Sequence, residues 1–161
     1  MDIRIYPVRS KNDLRKFIHL PSKIHKNHTN WVPPIYMDDW QFFDPKKNRL
    51  FSHSDTILLL ASQNGQVVGR IMGIINHRYN KAKNENNAGF CFFEPYNDYD
   101  VAKAFLNAIE RWAKEKNTEK SSTDLAKELT DHIPIEKSVA VNVKAIRTQD
   151  EMYGTLLNIK S

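Results

Sequence analysis

The chain has 161 residues, 40% hydrophobic and 11% aromatic, with a formal net charge of +5 and a single cysteine. That size and apolar content suit one folded domain and argue against a disordered chain. No apolar run reaches the roughly 20 residues of a membrane-spanning helix, and the lone Cys91 excludes an internal disulfide.

Arg4, Arg9 and Lys11 interrupt any secretory h-region, so a cytoplasmic location is expected, with no membrane partner. The charge is uneven. Residues 1–50 hold ten Lys/Arg against five Asp/Glu, a bias that suits either an ordinary solvated surface or an anionic partner. No zinc knuckle, RNA-binding motif or repeat accompanies it, so nucleic acid is not expected.

Ile3 and Ile5 keep a period of two before Tyr6 and Val8 fall on the opposite face, which predicts an opening strand. Ser10 can cap a helix from about Lys11 that buries Leu14, Phe17 and Ile18. Pro21 is expected to interrupt that helix and Ser22 to restart it, with Ile24 inside. Asn30-Trp31-Val32-Pro33-Pro34 reads as extended, because each proline disfavours α geometry in its predecessor. A short helix over 35–43 should bury Ile35, Trp40 and Phe43, and residues 44–48 should turn. The aromatic side chains here are open to two readings, a lid over a sheet or the wall of a substrate pocket.

Thr56–Ser62 and Val67–Ile75 are apolar and flank Asn64-Gly65, the pair a two-residue hairpin turn needs. Residues 76–87 read as a polar, exposed loop. Ala88–Phe93 is a third strand, and Cys91 within it reads as a buried, inert thiol. Asp100 to Lys116 reads as a helix with Val101, Ala104, Phe105, Ala108, Ile109 and Trp112 on one stripe. Residues 117–123 read as a linker, 124–132 as a further helical turn or two, and Lys137–Lys144 as a strand with Val139, Val141 and Val143 on one face. Thr148-Gln-Asp-Glu151 is a capping box that opens a last short helix.

Five stretches in this order carry a resemblance: Leu20-Pro21, Asn30–Pro34, Phe43–Asn48, Val68-Gly69-Arg70-Ile71, and Gly89 through Glu94. Over residues 15–117 the chain resembles the GNAT superfamily of N-acetyltransferases, in a divergent bacterial branch; beyond that the likeness is one of pattern. The resemblance implies an α/β (α+β) fold: a mixed, mainly antiparallel central sheet flanked by helices, in a single domain over 1–161. The family's last two strands have no counterpart before Ser161, so a shortened domain is expected. It also implies acetyl-CoA as co-substrate and an amine, small or on a protein, as acceptor.

In that family coenzyme A lies between the fourth and fifth strands, with its pyrophosphate on the N-terminus of the next helix. Carried onto this chain, Phe92, Phe93, Asn97, Tyr99 and Val101 would bind the cofactor. Glu94, the first polar residue after the third meander strand, would be either the general base or a surface carboxylate bracing the loop, and Tyr153 either the general acid or a packed helix tyrosine. A non-catalytic binding or dimerisation module is the alternative. The turn Glu94–Asp100 holds neither glycine nor cation and carries two aspartates. A carboxylate about 5 Å from a phosphate costs on the order of 1–3 kcal/mol. The six histidines lack metal-ligand spacing, so no metal is expected. An unpaired edge at Val139–Val143 would suit a homodimer.

Overall fold

A computed structural model describes residues 2–96 and 98–116, together with the backbone of 120 and 121. The proposed strand at 137–144, both helices after residue 123, Asn97 and Tyr153 lie outside the described residues. The first strand, β1 (Ile3–Pro7), pairs antiparallel with β2 (Ser54–Gln63). β2 pairs antiparallel with β3 (Gln66–Asn76), and β3 with β4 (Asn87–Pro95). A two-residue β5 (Lys120–Ser121) runs parallel to β4 at Asn87 and Ala88. The sheet order is therefore β1-β2-β3-β4-β5, a meander with one parallel edge where the sequence suggests only a linker.

Asn64 and Gly65 take φ of 51° and 77°, the left-handed pair that matches the twist of a tight hairpin. The sheet is covered on both faces, which explains the broken alternation of β1. Ile3 and Ile5 pack on one side, against the core of Leu59, Ile71, Phe93 and Phe105. Tyr6 and Val8 pack on the other, around Phe17, Leu60 and Met72.

The second face is covered by α1 (Lys11–Ile24) and α2 (Tyr36–Phe42). Ser10 and Asp13 form a full capping box at the start of α1. The helix runs straight through Pro21 instead of breaking there. Proline lacks the N–H that would reach the Phe17 carbonyl four residues back, and that carbonyl instead accepts a hydrogen bond from Nη1 of Arg70 at 2.9 Å. A buried cation on the sheet thus satisfies the acceptor that proline leaves free.

The first face is covered by α4 (Tyr99–Glu115), whose buried stripe includes Val101, Phe105, Ile109 and Trp112. It sits so close that a Cβ on Gly69 would fall 2.6 Å from the Phe105 ring, and one on Gly73 would fall 2.8 Å from Ile109. Two local expectations are corrected. The polar stretch after β3 is not a loop but α3 (His77–Lys83), capped at its start by the Asn76 side chain and closed by Asn84 at φ 53°. Ile35, expected inside, is 71% exposed, whereas Phe43 is buried and Trp40 half-buried.

Candidate active site

The site begins with an irregularity in β4. Arg70 pairs with Glu94 and Met72 with Cys91, so one extra β4 residue is squeezed opposite Ile71. Phe92 absorbs it with φ of 51°, a left-handed geometry rare for a bulky residue. The bulge resets the alternation. Phe90 lies in the α4-side core, Cys91 and Phe92 both face α1 and α2, and Phe93 returns to the α4 side. Glu94 therefore points to the α1 face, whereas strict alternation would have aimed it into the α4 core.

On that face Glu94 meets Arg70 and His25. Arg70 is 6% exposed, and its Nε lies 2.5 Å from Glu94 Oε2. Its guanidinium stacks 5.2 Å from the Phe17 ring centroid and 5.4 Å from that of Phe92. The other carboxylate oxygen, Oε1, lies 3.6 Å from His25 Nε2, an electrostatic contact too long for a hydrogen bond. His25 Nδ1 is 3.1 Å from His28 Nδ1, and its ring stacks on Trp31 at 5.5 Å. Asp39 joins the cluster from α2. Burial lifts its carboxyl above the ordinary aspartate range; Arg70 opposes the shift, while Asp38 and Glu94 add to it. Burial also pushes the Cys91 thiol up to about 12, so Cys91 is no thiolate nucleophile near neutrality.

The remaining expected site residues fall as follows. Phe93 is buried in the α4-side core, and Tyr99 is a 40% exposed residue in the first turn of α4. The side chain of Val101 is fully buried, and its amide already donates to Asp98 Oδ1 at 3.2 Å. Asp98 also accepts from the Asp100 amide at 2.9 Å, so the protein's own carboxylate takes two helix-start amides that would otherwise face an anion. Asp98 in turn lines an open cleft of about 900 Å3 along α1, together with Tyr96, Arg4, Lys16 and Lys23. The turn itself has no cation, but the fold brings three from β1 and α1. Beyond Ala88, the outer edge of β4 has no strand partner among the described residues.

Sequence reasoning missed His25, His28 and Asp39. No motif spacing joins them in the sequence, because they lie on different elements; among the described residues no group of three or more His, Cys, Asp or Glu could hold a metal ion.

The chain is similar in part to four known proteins or families. The solved structure of a tandem GNAT protein from the clavulanic acid biosynthesis pathway, determined without AcCoA, superposes with a TM-score of 0.54. The match covers 71% of this chain and 34% of that one at 12% identity, and it shows that the two share a fold. The bacterial ceramide synthase of Caulobacter vibrioides (strain NA1000 / CB15N) is 35% identical over 75 residues, 47% of this chain. Protein YghO of Escherichia coli (strain K12) is 29% identical over 113 residues, 70% of this chain. The chain matches only 20% and 29% of the lengths of these two relatives. Residues 114–159 match the family model for the C-terminal part of flagellar basal body rod FlgEFG proteins. That segment begins in the last turn of α4 and lies almost wholly outside the described residues.

Proposed function

We propose that the protein takes part in acyl transfer from an acyl-coenzyme A, acetyl-CoA being the simplest, to a primary amine. The observation that carries the reading is the Phe92 bulge. It turns Glu94 out of the core and onto the face beside His25. Beyond Ala88 the outer edge of β4 has no strand partner among the described residues, so an extended ligand could pair there.

In this reading the backbone of Phe92 and Phe93 on the outer edge of β4 would hold the pantetheine arm. Arg4, Lys16 and Lys23, which line the cleft with Tyr96 and Asp98, would offset the charge of Asp98 toward the phosphates. Glu94 accepts the proton that the ammonium must lose before its nitrogen can attack. Arg70 is a positioning residue that holds one carboxylate oxygen and leaves the other toward His25. As the C–N bond forms, the C–S bond breaks, and the departing thiolate takes a proton; Tyr153 is the candidate donor. One relative's name points to the acceptor class. A ceramide is an amide of a long-chain amino alcohol, and the aromatic and apolar side chains of α2 flank the Glu94 face.

The test is transfer of a labelled acyl group to a panel running from short amines to long-chain amino alcohols. Glu94→Gln should lower kcat by about 10²–10⁴-fold with little change in KM. Equal kcat for the variant and the parent would remove Glu94 as base.

A non-catalytic descendant of the same fold is the second reading. The capture of two α4 amides by Asp98 favours it, because the helix start is already satisfied. Saturable thermal stabilisation by acetyl-CoA, worth about 2.7 kcal/mol at a hundred times Kd, would count against it.

A further inference from the structure

We infer that residues 31–37 form a tip that docks on an anionic lipid bilayer surface. Among the described residues five large hydrophobic side chains are exposed, and three fall within six positions: Val32 at 81%, Ile35 at 71% and Met37 at 69%. Pro33 and Pro34, between them, are exposed as well. The other two are Tyr96 and Tyr99, whose hydroxyls make exposure ordinary. A contiguous apolar projection of this kind marks a contact site.

The tip cannot fold back to cover itself. Two successive prolines fix φ, withdraw two N–H donors and keep the segment extended. Its ends are pinned, with Trp31 stacked on His25 and Tyr36 packed 4.3 Å from the His19 ring. The apolar residues are therefore held away from the body in advance, and little ordering remains to be done on docking.

Charge selects the occupant. Exposed Lys23 and Lys26 precede the tip, and exposed Lys46, Lys47 and Arg49 follow it, against exposed Asp38. An exposed apolar segment flanked in the chain by cations matches a surface of negative headgroups over hydrocarbon. A second copy of the chain would instead bring one basic flank against another. No described helix is long and apolar enough to cross a membrane. The contact stands whether or not the protein transfers acyl groups.

The experiment is co-flotation of the full chain with phosphatidylcholine vesicles, with and without phosphatidylglycerol. The protein should float with the anionic vesicles and release in high salt. The triple variant Val32→Ser, Ile35→Ser, Met37→Ser should bind about tenfold more weakly or worse, with an unchanged melting temperature because those side chains are already in water. Flotation of the triple variant equal to the parent, or no flotation of the parent on either vesicle, overturns the proposal. So does a concentration-dependent dimer that the triple variant abolishes while vesicles are ignored, since the tip would then be covered by a second copy.

Discussion

Arg70 makes three kinds of contact at once: an ion pair with Glu94, a hydrogen bond to the Phe17 carbonyl and two aromatic stacks. Replacing it with methionine should destabilise the fold by about 3 kcal/mol, measured by urea unfolding, because both a carbonyl and a carboxylate lose their partner. The coupling to Pro21 is specific. Pro21→Ala restores an N–H that can reach Phe17, so in the Arg70→Met background it should recover about 1 kcal/mol, and strictly additive single and double variants would refute the coupling. Asp39 has a pH signature. Its folded pKa lies above the ordinary value because burial disfavours the charge. The folded state therefore holds that proton more tightly, and the contribution of Asp39 to stability is present at low pH. It is lost as pH rises through the raised value. Asp39→Asn should gain stability relative to the parent above that window and not below it, as read from melting temperatures across a pH series. In the sequence Glu94 could be found by position. His25 and Asp39 could not, since they reach it from two other elements.

The α4 helix shows what was legible at the level of an element and what was not. Its apolar stripe and its Asp98 cap are local patterns, and the helix forms as those patterns require. Its closeness to the sheet is a tertiary fact recorded in Gly69 and Gly73. Gly73→Ala should cost about 1–3 kcal/mol in a denaturation series, because the new methyl meets Ile109, Ile57 and Trp112 at once. Asp98→Asn separates the capping role from the charge. Asparagine caps nearly as well, so stability should hold within about 0.5 kcal/mol, while acetyl-CoA affinity should rise up to about tenfold as one negative charge leaves the cleft. Unchanged affinity would place the phosphates elsewhere. The missed α3 helix also has a local signal, an asparagine at each end, but both are residues that favour turns equally well.

Over the whole molecule, the cleft joins residues that are far apart in the chain. Arg4→Ala and Lys23→Ala should each weaken acetyl-CoA binding several-fold in low salt and much less in high salt, followed by calorimetry; equal losses at both ionic strengths would argue against a charge role. The meander, the tight hairpin and the faces of α1 and α4 were written in the sequence, because turn chemistry and periodicity act over a few residues. The resemblance that ran through Gly89–Glu94 anticipated the fold that the superposition shows. The Phe92 bulge, the passage of α1 through Pro21 and the gathering of three cations beside Asp98 were settled only in three dimensions. Each depends on a partner that the chain brings back from a distance: β3 across from the bulge, Arg70 beneath the proline, and β1 with α1 beside the turn. Local composition carries no record of such a partner.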